Sequence, residues 1–364
     1  MIITKPDRIS GLRIYDEARV AHLERIIESS KNIQFLYHSA SYDFSDDLAK
    51  SANAKKSSLP TVLREIIKTE ARIIELNEPL YIKRALHIVI YIFTINLKKF
   101  FTNREILVVS YAIENADIAA KLSSHTKIPY FITKRVLLMF LRVLLLGIDR
   151  IAFGTESAFT AYKSLARSFP RHLQTTIIAP IEKACETCEL IKHDFQVMFL
   201  GALDERKGID AIMDAWPLVI RQFPNATLKI LGKGPREDAV IDWVNSQRST
   251  RIIIDPSRAE IHEELSSTTV LVLLSRTTPR WREQIGLPII EGLSHACRIV
   301  ATSATGISDW LKKHGHFVID NPNDSDCVAA AIVAALNSRS LAQNILQSLP
   351  TQNGRTVAED WLWK

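Results

Sequence analysis

Cysteine is scarce, with four residues in a chain of 364, too few and too scattered for the disulfide framework that staples small secreted domains. Cys185 and Cys188 form a C-x-x-C with no second pair, and Cys297 and Cys327 stand alone. The sequence therefore reads them as free thiols of a reducing cytoplasm rather than as zinc ligands or a redox pair. Long apolar runs are also missing. The longest, Ala85–Leu97 and Val136–Ile148, are interrupted by His87 and Arg142 and fall short of the roughly 20 residues a membrane span needs. The opening residues, MIITKPDRIS, hold no apolar core of a secretory signal. A soluble or peripheral cytoplasmic protein is expected. Neither a repeat of fixed period, nor a low-complexity tract, nor a nucleic-acid recognition motif occurs.

What is present is a chain long enough for two cores, since single cores rarely grow past about 250–300 residues. Hydrophobic residues make up 47% and charged residues 24%, an ordinary α/β composition. The formal net charge of +6 is uneven: residues 1–190 carry the whole basic excess, most strongly over 50–150, and the remainder is near neutral. A basic first half suits an anionic partner. Nucleic acid, an anionic membrane surface and a phosphorylated acceptor all qualify on charge.

In the second half, short apolar runs at Gln196–Leu200, Thr227–Leu231, Arg251–Ile254, Val270–Leu274, Arg298–Ala301 and Phe317–Ile319 alternate with helical patterns. The helical segments are Ile209–Phe223, Glu237–Gln247, Ala259–Ser266, Leu287–Ala296, Ile307–Lys313 and Cys327–Leu336. Strands alternating with helices make a parallel sheet covered on both faces. The first half gives strands at Ile33–Tyr37, Arg72–Leu76, Glu105–Ser110, Tyr130–Thr133 and Arg150–Gly154, with helices at Asp16–Ser29, Thr61–Thr69, Ile82–Phe100 and Val136–Leu146. The polar stretch around Pro180–His193 marks the boundary, giving domains over 1–190 and 191–340. A tail over 341–364 is expected to pack back on the first domain through Trp361 and Trp363.

The stretch with most chemistry is Ser275–Thr302, SRTTPRWREQIGLPIIEGLSHACRIVAT. It follows the carboxyl end of a strand, where ligands bind in open α/β sheets. Pro288 suits the first turn of a helix, having no N–H to leave unpaired. The N–H groups of Ile285, Gly286 and Leu287 then surround a helix N-terminus that favours an anion such as a diphosphate. Glu283 before that turn and Glu291 one turn within it can accept hydrogen bonds from sugar or ribose hydroxyls. A plainer reading of Glu291 is a solvated partner of His295 or Arg298 on the same helical face. Arg206-Lys207 reads either as a solvated turn or as a phosphate contact. Asp324-Ser325-Asp326 reads as a helix cap, and His38 as structural.

Glu283-QIGLPII-Glu291, with seven residues between two glutamates and RIVAT following, resembles the signature of the family-4 retaining glycosyltransferases. The resemblance extends upstream to FLGALDERKGID (Phe199–Asp210) and LKILGKGP (Leu228–Pro235), covering roughly Gln196–Ile319. It implies an α/β chain of the GT-B fold, two facing Rossmann-like domains with a nucleotide-sugar cleft between them. The residue roles it implies are donor sugar at Glu283, ribose at Glu291 and diphosphate at Lys207. Gly201, Ile285, Gly286 and Leu287 would line the same donor site. Where the family often has arginine after the glycine of its first C-domain strand, this sequence has Gly201-Ala202, and Arg206 is the cation that would compensate.

The first half resembles the family less. At VVSYAIENADIAA (Val108–Ala120) many members have a histidine that contacts the donor sugar; here Glu114 or Asn115 takes that contact or caps the following helix. The Gly-rich loop common near such N-termini is absent. The activity implied is metal-independent, retaining transfer of a hexose-type sugar from a UDP or GDP sugar to a glycan or lipid-linked acceptor, without a cofactor. Cell-surface polysaccharide or glycolipid synthesis, at an anionic inner membrane surface, is the implied setting, and no nucleic acid is expected. The alternative is a non-catalytic GT-B subunit or nucleotide-sugar-binding protein.

Overall fold

The computed structural model describes residues 9–41, 44–278, 281–338 and 342–364. The N-terminal residues 1–8, Pro279-Arg280 of the candidate loop and the expected 340/341 boundary lie outside the described residues. The chain forms two compact units. One comprises residues up to Gly154, Ala158–Ile178 and Thr356–Lys364; the other comprises Thr155–Ser157 and Ala179–Arg355. The division therefore falls after Ile178, ahead of the 190/191 boundary read from composition. The last segment is shared, with Thr356–Lys364 in the first unit.

The first unit holds a seven-stranded sheet of β1 (Gly11–Ala18), β2 (Ile33–Ala40), β3 (Ala54–Lys56), β4 (Ile73–Leu76), β5 (Leu107–Ala112), β6 (Arg150–Phe153) and β7 (Gln174–Ile177). Its order is β3-β2-β1-β4-β5-β6-β7, and the pairs are parallel. The second unit holds β8 (Gln196–Leu200), β9 (Thr227–Gly232), β10 (Thr250–Ile254), β11 (Val270–Leu273), β12 (Arg298–Thr302) and β13 (Phe317–Ile319). These run parallel in the order β10-β9-β8-β11-β12-β13. Both sheets start at the centre, wind to one edge and then switch to the other. The switch falls between β1 and β4 in one unit and between β8 and β11 in the other, and ligands of such sheets bind at the carboxyl ends there.

The second unit follows its hydrophobic pattern closely. β8 and β11 are buried along their length, as strands covered on both faces must be. The helix Ile209–Gln222 buries Ile209, Ile212, Trp216 and Val219, and Pro217 sits inside it without ending it. Asp324 caps the helix Ser325–Asn337 by accepting the N–H groups of Asp326 and Cys327, each at 3.1 Å.

The first unit departs from its pattern more widely. β3, β7 and the helices Asp46–Ser51, Ile118–Thr126 and Glu156–Ala166 have no counterpart among the segments read from the sequence, and three further departures concern elements it misplaced. Asp16–Ala18 closes β1, and the helix read from Asp16 begins only at Val20; polar Arg13 and Asp16 are buried in the strand and hide its signal. Tyr130–Thr133 is not a strand but the first turn of the helix Tyr130–Leu146, entered from Pro129. The helical run Ile82–Thr102 outlasts the apolar stretch within it. With 21 residues and a mean hydropathy of 1.3, it is long and apolar enough to cross a membrane. Ile88, Tyr91, Ile92 and Ile95 nevertheless pack into the core of the first unit.

Arg13, at the centre of β1, is fully buried. It donates to Glu75 at 2.9 and 2.8 Å, and at 2.5 Å to Glu359 on the tail helix Gly354–Leu362. Trp363 donates from Nε1 to Glu75 at 3.2 Å, and its ring lies against Gly11. Burial alone would lower Arg13 and raise Glu75. The mutual charges overrule it, holding Arg13 above and Glu75 below their ordinary ranges. The tail is thus pinned to the first unit by a buried ion network.

Candidate active site

At the carboxyl end of β8 the chain passes through Gly201, whose N–H donates to the Leu231 carbonyl at 3.0 Å. Asp204 then caps the tight turn Glu205–Lys207, accepting the Arg206 N–H and the Arg206 guanidinium, both at 2.9 Å. Burial would raise the Asp204 carboxyl, but the bonds from Arg206 hold it below the usual carboxylate range. Gly208 follows at φ +79°, and a Cβ there would lie 2.2 Å from the Leu274 carbonyl oxygen. No side chain fits either the space or the backbone. This close approach sets the turn carrying Lys207 against the end of β11, across the switch point. The Arg276 N–H donates to the Arg206 carbonyl at 2.8 Å and fastens the two strands' exits together.

There Lys207 pairs with Glu283. Ser275 Oγ donates to the same carboxylate oxygen at 3.0 Å, and the Ser275 carbonyl accepts from the Thr302 hydroxyl at 2.5 Å. Trp281 lies against both cations, with the Arg206 guanidinium carbon 4.8 Å and Lys207 Nζ 5.1 Å from its ring centre. Each such contact is worth about 0.5–1 kcal/mol or more as water is excluded. Sequence reasoning named Glu283, Lys207 and Arg206 but missed Ser275 and Trp281. The available signal for Ser275 was its place directly beyond a buried strand, where a hydroxyl can fix a loop carboxylate.

Beyond Glu283, Gly286 at φ +85° opens the helix Leu287–Ser294, with Pro288 in its first turn. The Ile285 carbonyl accepts from the Thr305 hydroxyl at 2.8 Å, so the loop after β12 braces this turn. Leu287 is exposed. The leading N–H groups of a helix have no intrahelical acceptor and form its positive end. One turn in, the Glu291 carboxylate pairs with Arg258 at 2.5 Å, a residue of the helix Arg258–Ser267 that sequence reasoning passed over. The partners expected for Glu291 bond elsewhere. His295 Nδ1 reaches the Glu291 backbone carbonyl at 2.7 Å, and Arg298 reaches the Ala335 carbonyl at 3.4 Å.

Glu114 and Asn115 belong to the first unit, after β5. Neither caps the next helix: Asp117 does, accepting the Ala120 N–H at 3.0 Å. Glu114 accepts the Ala116 N–H at 3.0 Å, and Asn115 is buried. The group that organises this loop is Glu78, beyond β4. It accepts the N–H groups of Ile113 and Glu114 at 3.0 and 2.9 Å and the Tyr162 hydroxyl at 3.2 Å. Burial, then the charge of Glu114, pushes the Glu78 carboxyl up to about 8. His38 has both ring nitrogens engaged, with the Ser57 carbonyl at 2.7 Å and the Tyr91 hydroxyl at 2.6 Å. A wide depression of about 1410 Å³ lies at the amino ends of β1, β2, β4 and β5, the end of a parallel sheet that ligands do not use.

Residues 194–338 match the family model of glycosyl transferases group 1. Over those residues the chain is similar to group 1 glycosyltransferases. A glycogen synthase of Mycobacterium tuberculosis is 27% identical over 152 residues, which are 41% of this chain and 35% of that protein. An O-antigen chain mannosyltransferase B of Escherichia coli is 25% identical over 170 residues, 46% of this chain and 42% of that protein. The matched part therefore spans well under half the length of these relatives. Anabaena HepE, solved with UDP and glucose, matches at a TM-score of 0.60 and 13% identity, over 96% of this chain and 95% of that one. At that identity the likeness establishes the fold alone, which is GT-B, with two Rossmann-like domains.

Proposed function

We propose that this chain is a retaining glycosyltransferase that moves a hexose-type sugar from a UDP or GDP sugar to a glycan or lipid-linked acceptor, in the synthesis of a cell-surface polysaccharide or glycolipid. The observation that carries the reading is the cluster of Lys207, Ser275 and Glu283 at the switch point of the second unit, beside the N-terminus of the helix Leu287–Ser294.

The arriving diphosphate takes the positive end of that helix and the Lys207 ammonium. Lys207 then leaves its pairing with Glu283 for the phosphates, and Glu283, still held by Ser275, accepts hydrogen bonds from the donor sugar. Glu291 exchanges Arg258 for the ribose hydroxyls. As the sugar–phosphate bond breaks, charge builds on the leaving diphosphate, where Lys207, Arg206 and the helix N–H groups stabilise it. The leaving diphosphate takes the acceptor hydroxyl's proton on the same face of the sugar, so the anomeric configuration is kept. The positive field comes from the protein, and the transfer needs no metal.

The first unit supplies the acceptor side at an anionic membrane surface. Phe93, Phe100 and Phe101 on one helix, and Phe131, Val136, Met139 and Val143 on another, are more than half exposed. The two helices, Ala85–Thr102 and Tyr130–Leu146, pack together, and Lys83, Arg84, Lys134, Arg135 and Arg142 flank or interleave the apolar residues. Apolar faces edged by basic residues suit an interfacial membrane contact.

The test is slow donor hydrolysis by the full chain supplied with UDP and GDP hexoses. Release of nucleoside diphosphate that disappears in Glu283→Ala, with the α-configured sugar retained by NMR, supports the proposal. Nucleotide binding without release in any donor would instead make the chain a non-catalytic nucleotide-sugar-binding protein.

A further inference from the structure

The sequence alone reads Cys185-x-x-Cys188 as a pair of free thiols, because no second pair of ligands lies near it in the chain. The fold supplies that pair. His262, on the helix Arg258–Ser267, and His295, which ends the helix Leu287–Ser294, bring their imidazoles to the same point of the second unit. One ligand atom from each of Cys185, Cys188, His262 and His295 lies within 4.8 Å of all the others. Cys188 Sγ is 3.3 Å from His295 Nε2 and 3.8 Å from His262 Nδ1, and the two nitrogens are 3.0 Å apart. In a tetrahedron with Zn–S of about 2.3 Å and Zn–N of about 2.0–2.1 Å, ligand atoms lie roughly 3.3–3.8 Å from one another. Cys188, His262 and His295 thus already sit near the separations such an ion requires, with Cys185 Sγ within 4.8 Å of all three.

The surroundings are those of a prepared site. His295 Nδ1 donates to the Glu291 carbonyl at 2.7 Å, which leaves the Nε2 lone pair facing the two sulfurs. This is the outer hydrogen bond that metal-bound histidines make. Without an ion, that lone pair is the shared acceptor for both the Cys188 thiol and the His262 Nδ1–H, one acceptor for two competing donors. The cysteine loop is fixed to both helices. The Cys185 N–H donates to the Ser294 carbonyl at 2.8 Å. Lys192 donates to the Leu265 and Thr268 carbonyls at 3.0 and 2.6 Å.

We propose that Cys185, Cys188, His262 and His295 bind one structural zinc ion. Two thiols release their protons to solvent on binding. Two thiolates then balance the divalent charge, so a neutral complex is enclosed and little desolvation cost remains. With all four positions filled by protein, the ion is structural rather than catalytic. It ties the loop before β8 to the two helices that carry Arg258 and Glu291. The sequence hides the site because its ligands come from three separate segments: Cys185 and Cys188 have the close spacing of a zinc finger, but His262 and His295 lie 33 residues apart instead of one helical turn.

Metal analysis of the full chain, purified without a metal-affinity tag from zinc-supplemented medium, tests this directly. About one zinc per chain is expected in the wild type and in Cys327→Ser, and less than about a tenth of that in Cys185→Ser/Cys188→Ser. Should the double variant fail to fold, wild type stripped with a chelator keeps the test open. One equivalent of cobalt(II) then gives a thiolate-to-cobalt charge-transfer band with strong tetrahedral visible absorption, and zinc abolishes both. A folded wild type that holds no zinc and gives no cobalt spectrum overturns the proposal. So does a double variant that keeps its zinc, or a Cys185–Cys188 disulfide in the freshly isolated protein.

Discussion

The two units wind their sheets in the same order yet treat ionic charge in opposite ways. In the second unit two pairs sit at the carboxyl mouth of the sheet: Lys207 with Glu283, mostly buried, and Arg258 with Glu291, more open to solvent. The exposed Arg258 pair stabilises the fold little, and in either pair an incoming anion can take the carboxylate's place beside the cation. In the first unit the charges are inside. Arg13, Glu75 and Glu359 are buried among the strands and the tail helix, where breaking a pair leaves an uncompensated charge. One unit sets two of its ion pairs at the mouth of its sheet, and the other commits Arg13, Glu75 and Glu359 to holding its last helix.

The sharpest way to break that comparison is Arg13→Met, which takes the central cation from two buried carboxylates and leaves them the more distant Arg25, at 3.3 and 3.8 Å, and Lys31, at 3.7 Å from Glu359. It should destabilise the first unit by about 3–5 kcal/mol, lowering its calorimetric transition while that of the second unit stays in place. In the wild type, Glu75 and Glu359 are held below their ordinary value of 4.5. Their stabilisation is present above that value and is lost as pH falls toward the folded-state values. Acid should therefore melt the first unit ahead of the second, and equal loss in both would remove the distinction.

Next in size is Glu283→Gln, expected to slow sugar transfer by about 100- to 1000-fold, or roughly 2.7–4 kcal/mol, with little change in melting temperature. A similar loss in Glu114→Gln would mean that the two units share the chemistry more evenly than the pairs suggest.

A third test uses Glu78, raised from 4.5 to about 8 in the folded chain. Between those values the folded state keeps a proton that the unfolded state has lost, so stability falls as pH rises through that window. Glu78→Gln removes the titration. It should gain about 1–3 kcal/mol over wild type at pH 8 and nothing at pH 4, read from urea midpoints. The smallest effect belongs to Arg258→Ala. With the pair largely exposed, stability should change by less than about 1 kcal/mol, and donor affinity should alter only a few-fold by calorimetry.

The same contrast explains what could be read from the chain itself. In the second unit continuous apolar runs such as Gln196–Leu200 and Val270–Leu273 stand clear of amphipathic helices, and strand positions followed from them. Glu283, Lys207 and Gly286 announced themselves because glycine and proline punctuate the turns that hold them. In the first unit β1 was hidden by Arg13 and Asp16, polar residues buried only because partners from Glu75 to Glu359 are brought to them by the fold. Aromatic Tyr130–Thr133 imitated a strand, since an apolar helical turn and a run of high β-propensity look alike over four residues. Trp281 and Arg258 were missed for a related reason: each acts through a partner distant in sequence, and spacing carries no record of such contacts.

The central claim is that the carboxyl mouth of the second sheet binds a nucleoside diphosphate. A crystal of the full chain soaked with UDP or GDP tests it most directly. The account predicts the diphosphate against the N–H groups of Gly286 and Leu287, with Lys207 turned from Glu283 toward the phosphates and Glu291 bonded to the ribose. A diphosphate bound elsewhere, or that turn left empty with Lys207 still on Glu283, would contradict it.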